Sequence, residues 1–501
     1  MPSAPLHGRA GSAGKLFRLA VRHRWNGTNA SRGVFMVRLK VAVVVAVAAG
    51  VLAGGLAMPS AASATAAQVV YAWGNNSQGQ AGTWPVGGHV LSPVPVRGAA
   101  TNVTQLSGGK GEFVLSLRSD GTVWGWGINS YHQLGDLNQP YSFAPVQIHG
   151  LPPGIVQVAA GFSHGAALAA DGSVWTWGGS YFGQLGYPTP GSNYSPTPHQ
   201  VPGLAGVKQV AAGIDFTVAL RSNGEVWTWG YNAYGQLGDG THTDRTTPAR
   251  NRAAYGMTQV SAGGLYALAR RPGSVWAWGA NDVRQLGNGS TALDSATPVI
   301  VDRRTQNATQ IVAGYNHAFA VDPDGSLWAW GSNGNGELGL GFDGGPFGTP
   351  QKVPGLAGVT QLAADRGTSM ALRSDGTLLV WGTEYYGLRG DGIDRGNASL
   401  PVPTPVTTVS GVTRIAMAGG TVLVLAYAEI MPDVVGELRA SALGQLHALG
   451  LSVQVQSVPD PDRRCPHIGL VESQSPPPGS AVLPGGHATI RVYVTAKGGC
   501  F

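Results

Sequence analysis

The feature of this sequence that most constrains its fold is a unit of about 51 residues that occurs seven times between residues 71 and 392. Each unit contains an apolar residue, then Trp-x-Trp-Gly or a close variant, and then a polar stretch that ends in Gly-Gln-Leu-Gly or a similar tetrapeptide. The last tryptophan of each motif marks the period, at Trp73, Trp126, Trp177, Trp229, Trp278, Trp330 and Trp381. A unit that cannot bury its own apolar face must stack on its neighbours, so the sequence predicts an array of similar modules.

Each unit can be divided into four short strands. In one unit, the first two strands are predicted at residues 209–213 and 216–220. The tight turn Ser222-Asn223-Gly224 connects the second strand to a third at residues 226–230. The fourth strand is predicted near Thr247, and its equivalents often contain proline. Four antiparallel strands per unit are typical of a propeller blade.

The tryptophans are predicted to be structural. Trp227 and Trp229 share one face of their strand, because alternate residues of a strand point to the same side. Stacked blades bury both faces of each sheet, so we interpret the large indoles as wedges that fill the space between neighbouring blades.

Both chain ends are predicted to close the ring. The first copy, residues 69–82, has no strands of its own before it, whereas a spare pair of strands at 412–416 and 422–426 follows the last copy. These halves would complete one blade and remove the exposed sheet edges. We therefore predict an all-β fold, a seven-bladed propeller of four-stranded antiparallel blades, over residues 68–427.

The sequence motifs of the unit resemble those of a known family. Gln157-Val-Ala-Ala-Gly161, Val174-Trp-Thr-Trp-Gly178 and Gly183-Gln-Leu-Gly186 resemble the regulator of chromosome condensation (RCC) repeat, and the resemblance extends over about 360 residues. It too implies a seven-bladed β-propeller.

The pattern changes after Ala428. A helical apolar pattern (Leu438, Leu443, Leu446 and Leu449) ends at Gly450 as a C-cap, and short strands follow it. Residues 428–501 resemble a PASTA domain, a small extracellular α+β module of bacterial cell-wall kinases and penicillin-binding proteins. The resemblance implies a domain that either binds cell-wall fragments weakly or serves as a spacer.

The leader, residues 1–67, is predicted to be an export signal. It holds eight basic residues and no acid, then an apolar run from Val41 to Met58, and then Ala62-Ser63-Ala64, which fits a signal-peptidase site. An uncleaved membrane anchor is the alternative, and translation can start at Met1 or at Met36. Without these eight cations the net charge of +6 becomes about −2, so the rest of the chain shows no overall charge that would indicate nucleic acid as a partner.

Two cysteines occur, Cys465 and Cys500, both near the C-terminus. In an exported chain they predict a disulfide, and two free thiols are the alternative. Two cysteines without a Cys-x-x-Cys spacing or paired histidines do not make a tetrahedral zinc site.

Motifs that suggest catalysis lack the sequence context that the corresponding sites require. The segment from Gly161 to Gly165 matches Gly-x-Ser-x-Gly but lacks the strand-turn-helix setting of a hydrolase, and residues 108–110 lack the spacing of a phosphate loop. His164 and His317 occupy equivalent positions too far apart to share a metal, and the two carboxylates of residues 322–325 are typical of a turn. We expect no catalytic residue, no metal and no cofactor.

Surface recognition remains as the predicted activity. Loops one-to-two and three-to-four of every blade share one rim, where aromatic residues concentrate, and aromatic side chains are typical of protein-binding hot spots. The predicted partner-binding residues are Tyr181, Tyr231, Tyr385, Phe162, Asp215, Tyr315 and Arg366. A framework role is predicted for residues that share one repeat position, Tyr131, Phe182, Tyr234 and Tyr386.

These features predict a secreted or envelope-associated bacterial binding protein. A protein partner would bind the propeller rim, and peptidoglycan would be a second ligand if the PASTA domain binds glycan; no nucleic acid is expected, and a membrane only if the leader is uncleaved. Two alternatives stay open: a guanine-nucleotide exchange factor like the eukaryotic members of the family, and an inhibitor of an extracellular enzyme such as β-lactamase. A wall-sugar hydrolase or lyase is a third.

Overall fold

The computed structural model describes residues 68–98, 102–462, 464–478, 480–482 and 486–495. Within them, seven four-stranded antiparallel sheets follow one another, and a small mixed module comes after them. The predicted all-β fold with seven four-stranded blades is confirmed. The predicted export signal lies outside the described residues, and no helix within them is long and apolar enough to span a membrane.

Two strands come before the first complete blade: β1 (Gln68–Asn75) and β2 (His89–Pro95). The strands of blades 1, 2 and 3 are, four to a blade, β3 (Val103–Gly108), β4 (Phe113–Arg118), β5 (Val123–Ile128), β6 (Tyr141–Gln147), β7 (Ile155–Ala160), β8 (His164–Ala169), β9 (Val174–Gly179), β10 (Tyr194–Gln200), β11 (Val207–Ala212), β12 (Phe216–Arg221), β13 (Val226–Gly230) and β14 (Arg245–Asn251). The strands of blades 4, 5 and 6 are β15 (Gln259–Ala262), β16 (Tyr266–Arg271), β17 (Ser274–Ala280), β18 (Asp294–Ile300), β19 (Gln310–Ala313), β20 (His317–Val321), β21 (Leu327–Gly331), β22 (Phe347–Lys352), β23 (Val359–Asp365), β24 (Thr368–Arg373), β25 (Leu378–Thr383) and β26 (Ser399–Pro405). A 3-10 helix, Arg303–Thr305, connects β18 to β19.

Blade 7 is built from both chain ends, as predicted. Its two inner strands, β27 (Val412–Ala418) and β28 (Thr421–Tyr427), pair with each other, and β28 also pairs with β1 in an antiparallel register that joins Tyr71 to Val424. The strand order of the sheet is β2-β1-β28-β27. The two ends of the propeller are therefore joined by a strand pair.

The apolar core lies between blades rather than in one centre. Seven buried clusters each contain residues of two neighbouring blades, and in the cluster between blades 1 and 2, Phe113 and Leu115 pack with Trp177. The last tryptophan of each motif is fully buried in such a cluster. The first tryptophan of each pair, such as Trp175, is only half-buried, although it lies on the same strand face.

Each buried indole also donates a hydrogen bond to the preceding blade. Trp177 Nε1 lies 2.9 Å from the carbonyl oxygen of Gln133, and Trp278 Nε1 lies 2.9 Å from that of Gln236. The same bond recurs in all seven blades, from Trp73 to Leu388 O, Trp126 to Gln80 O, Trp229 to Gln184 O, Trp330 to Gln285 O and Trp381 to Glu337 O. The accepting residue is always the second one of the Gly-Gln-Leu-Gly tetrapeptide or its equivalent. The two halves of the sequence motif thus meet across a blade boundary.

A second contact joins the inner strands around the axis. Gln157 donates from Nε2 to the carbonyl of Val210 at 3.0 Å and accepts the Val210 amide on Oε1 at 2.9 Å. Gln105 binds Val158 in the same two-point manner, and Gln209 binds Val260. These amide side chains therefore reproduce backbone pairing between strands that belong to different sheets.

The outermost strand of every blade contains proline. One such residue in each blade is Pro93, Pro145, Pro196, Pro248, Pro298, Pro350 and Pro401, and three of the strands contain further prolines. Proline lacks the amide hydrogen that a further strand would need, so it is confined to edge strands and blocks edge-to-edge association. The proline-marked fourth strands predicted from the sequence are therefore the exposed edges of the blades.

The C-terminal module has its own core. It comprises β29 (Glu429–Ile430), α1 (Arg439–Ala448), β30 (Ser452–Pro459), β31 (Val471–Ser475), β32 (Ala481–Val482) and β33 (His487–Val494). Strand β33 lies between β30, which is parallel to it, and β31, which is antiparallel. Leu446 of α1 is buried, and the helix ends at Leu449 as the C-cap, one residue before the predicted Gly450, whose φ of +70° is the left-handed conformation that follows such a cap. The assignment of Leu438 to the apolar face is wrong because Leu438 is the N-cap and is 62% exposed. Cys500 lies outside the described residues, so its disulfide with Cys465 stays a prediction.

The two tryptophans of one motif should differ in their effect on stability. We expect Trp177→Ala to lower the free energy of unfolding by about 3–5 kcal/mol, since it empties a fully buried site. Trp177→Phe should cost about 1–3 kcal/mol because the Gln133 carbonyl loses its donor. Trp175→Ala is the matched control and should cost less than either, as measured by urea unfolding. Equal losses for the two alanine variants would contradict the wedge assignment.

Closure of the ring can be tested by two truncations. A chain that ends at Tyr427 retains all 28 propeller strands and should unfold cooperatively with the near-UV signal of packed tryptophans. A chain that ends at Gly411 lacks β27 and β28, leaves β1 paired only with the edge strand β2, and should lose that signal. Circular dichroism and thermal unfolding compare the two, and a cooperatively folded shorter chain would show that the chain-end pairing is dispensable.

Candidate functional site

The propeller has two rims of different construction. The upper rim consists of the loops between strands one and two and between strands three and four of each blade. The three-to-four loops are the longer, at residues 76–88, 129–140, 180–193, 231–244, 281–293, 332–346 and 384–398. The lower rim consists of the tight turns between strands two and three and the connections between blades. Long loops that vary from blade to blade make the upper rim the candidate recognition surface.

The long loops are braced at their base by side chains of the repeat. In blade 3, Asn232 Oδ1 accepts the amide of Leu237, and its Nδ2 donates to the carbonyls of Thr241 and Thr243. Gln236 Oε1 accepts the amide of Tyr234 at 3.0 Å. The base of the loop is thus fixed to the blade, and the residues between the braces project outward.

Aromatic rings form an arc over the upper rim of blades 1 to 3. Tyr131 contacts Tyr181 with ring centroids 6.0 Å apart, and Phe182 contacts Tyr231 at 4.4 Å. Tyr231 in turn lies 6.4 Å from Tyr234 of its own loop. Each contact from blade to blade joins a predicted binding residue to a predicted framework residue of the preceding blade.

The exposed fraction of the side chain only partly distinguishes the predicted binding residues from the predicted framework residues. Tyr181 is 58% exposed and Tyr385 is 42% exposed, while Tyr231 is half-buried between its neighbours. Tyr234 is 41% exposed, although it shares the repeat position assigned to the framework. Tyr385 lies away from the arc and packs with Tyr386 and with His89 of blade 7. The structure therefore brings Tyr181 and Tyr231 into one arc and leaves Tyr385 in a second aromatic cluster.

The remaining predicted binding residues surround the mouth of the central channel. Phe162, Asp215 and Tyr315 are half-buried in the short one-to-two loops, whose backbones are linked from blade to blade, as in the bond from the Phe162 amide to the Gly213 carbonyl. Asp215 accepts hydrogen bonds from Ser163 Oγ at 2.5 Å and Gln184 Nε2 at 2.9 Å, and burial raises the pKa of its carboxyl group. Arg366 is exposed and lies 3.6 Å from Glu112.

A lysine in the one-to-two loop of blade 1 reaches across the central channel. Lys110 is buried, and its Nζ donates to the carbonyl oxygens of Ala313 at 3.2 Å and Ala364 at 3.3 Å. Lys110 belongs to blade 1, whereas the two carbonyls belong to blades 5 and 6, so the side chain crosses the axis. Burial lowers the pKa of the Lys110 ammonium group, and the nearby Asp365 carboxylate opposes that shift. Gly108-Gly109-Lys110, rejected above as a phosphate loop, thus supplies a cross-channel contact.

Ser163 and His164 of the hydrolase-like motif bond to different residues and not to each other. Ser163 donates to Asp215, while His164 Nε2 lies 3.0 Å from Thr217 Oγ1 of the next blade. His317, at the equivalent position of blade 5, lies 2.8 Å from Ser369 Oγ of blade 6. No group of three or more metal-binding side chains occurs among the described residues. Both histidines therefore contribute contacts between blades.

Sequence reasoning missed several exposed apolar residues of the upper rim. Trp84 is 61% exposed and lies 5.5 Å from the ring of Phe143 in the next blade. Leu293 is 70%, Phe342 51% and Ile393 52% exposed. These residues follow the Gly-Gln-Leu-Gly segment, where loop lengths differ, so alignment of the repeats does not superimpose them. Their common signal is an apolar residue in the second half of the loop.

Comparison with known proteins identifies the family. The model of the RCC1-like domain matches residues 69–425, and the model of the PASTA domain matches residues 429–495. The chain belongs to the RCC1-like domain family. The resemblances inferred from the repeat wording and from the C-terminal pattern are confirmed.

Relatives of this RCC1-like propeller are diverse. The ultraviolet-B receptor UVR8 of Arabidopsis thaliana is 28% identical over 357 residues, which cover 68% of this chain and 80% of the receptor. The human E3 ubiquitin-protein ligase HERC2 is 27% identical, but the match covers 75% of this chain and only 8% of the ligase. Yeast RCC1 (Prp20), solved bound to Kap60, has a TM-score of 0.66 at 19% identity over 80% of this chain and 100% of that one. Human WBSCR16 has a TM-score of 0.64 at 24% identity over 72% and 99%. The structural likenesses show the fold.

The buried histidines predict an acid-sensitive propeller. Burial lowers the pKa of His164 and of His317 from 6.5 to about 3, so each stays neutral in the folded chain. Below pH 6.5 the unfolded chain binds more protons than the folded one, so stability is complete above that pH and falls progressively towards pH 3. The double variant H164F/H317F should lose less stability than the wild type between pH 7 and pH 4, as measured by urea unfolding.

Phenylalanine suits this test because Phe113 and Phe216 occupy the equivalent, fully buried positions of blades 1 and 3. Thr217 and Ser369 keep their bonds to the carbonyls of Gln184 and Glu337 in the variant. Identical pH profiles for both proteins would assign the acid sensitivity to carboxylates instead.

Proposed function

We propose that this chain is an exported, non-catalytic binding protein of the bacterial envelope. In this proposal the upper rim of the RCC1-like propeller recognises a protein partner, and the PASTA domain faces the cell wall. The export signal, the extracellular location and the absence of catalysis belong to the proposal.

The observation that carries the proposal is the distribution of exposed apolar side chains. Six of the seven long loops present at least one large apolar residue that is more than two-fifths exposed: Trp84, Tyr181, Tyr234, Leu293, Phe342, Tyr385 and Ile393. Contiguous exposed apolar groups with polar surroundings are typical of protein interaction sites. Aromatic rings that are already packed against one another lose little entropy when a partner covers them.

The geometry of the polar residues supports a binding role over catalysis. Among the buried titratable side chains of the described propeller, Lys110, His164, His317 and Asp365 are each bonded to backbone or hydroxyl groups of other blades. Two further buried carboxylates, Glu337 and Glu384, are bonded within their own loops. Catalytic sites need such groups to converge on one cavity. Here they are spread around the ring and take part in holding blades together.

The PASTA match and the export expectation favour the envelope over an intracellular exchange factor. Yeast RCC1 shares the fold at 19% identity, which carries no residue of its function to this chain. Accelerated nucleotide release from a small GTPase by residues 68–427 would instead support the exchange-factor alternative. Inhibition of a purified β-lactamase by residues 68–427 would narrow the proposal to an inhibitor of an extracellular enzyme.

Partner capture with an upper-rim variant tests the proposal. Residues 68–501 are immobilised and exposed to culture supernatant and envelope extract, and the captured protein is then titrated against Y181A/Y231A/Y385A. We expect affinity to fall by about 30-fold or more, since one hot-spot aromatic contributes about 2 kcal/mol or more.

The matched control is Y255A/Y427A. Both tyrosines lie on the lower rim and are 57% and 50% exposed, so their removal changes a similar area on the other side of the ring. The control should bind the partner like the wild type. If the upper-rim variant keeps full affinity, or if both variants lose it equally, the rim assignment is wrong.

A further inference from the structure

The two rims of the propeller carry opposite charge. All charged side chains of residues 68–427 lie in loops or near strand ends, so each can be assigned to one rim from the strand bounds. The upper rim has 6 cations and 13 carboxylates, and the lower rim has 13 cations and 7 carboxylates. The net charge of −1 for the propeller therefore conceals a rim of −7 opposite a rim of +6.

The positive charge is concentrated on two neighbouring blades. The lower rim of blades 3 and 4, with the connection that follows blade 4, holds eight cations and only two carboxylates, Glu225 and Asp302. We call these cations the basic patch: Lys208, Arg221, Arg250, Arg252, Arg270, Arg271, Arg303 and Arg304. The rest of the lower rim holds five cations and five carboxylates. The excess of the whole rim therefore lies in the basic patch.

Several cations of the basic patch are free to meet a ligand. Glu225 pairs with Arg250 at 3.0 Å and with Arg221 at 3.5 Å, and Asp302 pairs with Arg304 at 3.6 Å. The described residues provide no ion pair for Lys208, Arg252 or Arg303, which are exposed.

Aromatic rings hold two of the guanidinium groups in place. Arg271 lies 5.0 Å from the ring of Trp276 and 5.2 Å from the ring of Tyr255, which is 57% exposed. Arg221 lies 5.2 Å from the ring of Trp227. The half-exposed first tryptophans of the motif therefore orient arginines on this rim. Guanidinium groups fixed in this way pair with phosphate oxygens at a smaller entropy cost than mobile ones.

We propose that the basic patch binds a flexible, phosphate-bearing anionic glycopolymer of the cell envelope. This inference rests on the proposed function, which places the propeller outside the cell. Strand β28 runs from the upper to the lower rim and ends at Tyr427, so the chain leaves the propeller on the rim of the basic patch before it enters the PASTA domain. The lower rim then faces the wall while the acidic upper rim and its apolar loops face away from it.

A flexible polymer fits the patch better than duplex DNA or a bilayer. The turns 222–225 and 271–274 are tight, and the helix described in this part of the lower rim is the three-residue 3-10 helix Arg303–Thr305, which is too short to serve as a recognition helix in a DNA groove. Tyr255 and Ile300 are the large apolar side chains exposed there, whereas an interfacial surface inserts a whole apolar face into a membrane. A single phosphate chain can instead follow the cations from one blade to the next.

The test compares two variants of residues 68–501 with equal loss of charge. K208Q/R252Q/R303Q neutralises the unpaired cations of the basic patch, and the control R97Q/K352Q/R414Q neutralises three exposed cations elsewhere on the same rim. Binding of synthetic poly(glycerol phosphate) is measured by calorimetry from about 50 to about 300 mM NaCl. The patch variant should bind at least about 10-fold more weakly and lower the slope of log affinity against log salt by about 2, whereas the control should change little.

Four outcomes overturn the proposal: no binding by the wild type, equal weakening by both variants, tighter binding of duplex DNA, or tighter binding of phosphatidylglycerol vesicles than of the polymer at the same salt concentration. Unfolding midpoints of all variants confirm that the folds are intact. The variant Y181A/Y231A/Y385A should keep full polymer affinity, so loss of the protein partner and loss of the polymer are distinguishable. An intracellular location would refute the proposed function even if the purified chain bound the polymer.

Discussion

The hydrogen bond from a buried indole to a carbonyl of the preceding blade is the contact on which the rest of the propeller depends. It joins the third strand of one blade to the loop of another, so neither half of the repeat motif is satisfied within its own unit. An indole buried without an acceptor would lose about 1–3 kcal/mol, and this penalty favours the closed ring over isolated blades. Because the acceptor is a backbone carbonyl, Leu388 serves as well as glutamine at that position.

The same contact explains how the loops can differ without loss of the fold. The bond from Trp278 to the tetrapeptide, together with the Asn232 and Gln236 braces, holds the base of the blade 3 loop, while residues beyond Gly238 vary in number and kind from blade to blade. A rigid base with a variable end is the arrangement by which protein scaffolds present recognition loops. The Tyr181 and Tyr231 rings lie between two such bases, and each packs on an aromatic residue of the preceding blade. Contacts between neighbouring blades therefore help to position the aromatic arc.

The parts of this structure that could be predicted from the sequence are those that repeat. The period gives the number of blades, and the unpaired strands at both ends give the closure, because each depends only on local patterns. The path of Lys110 across the channel could not be predicted, since it joins residues 203 positions apart that no motif relates. Exposed Trp84 was missed because it lies where loop lengths differ. The separation of charge was accessible in principle, had each charged residue been placed on a rim through its predicted strand rather than summed.

The separation of charge follows from the way a propeller exposes its chain. Strand interiors are buried between blades, so ionic side chains are restricted to the two rims, and substitutions on one rim hardly affect the other. Each rim can therefore acquire its own ligand while the seven indole contacts stay unchanged. The first tryptophan of the motif takes part in this division. Trp227 and Trp276 pack partly against the apolar clusters between blades, and their rings also lie against the guanidinium groups of Arg221 and Arg271. One motif thus supplies both the wedge that holds adjacent blades together and a platform for a charged surface.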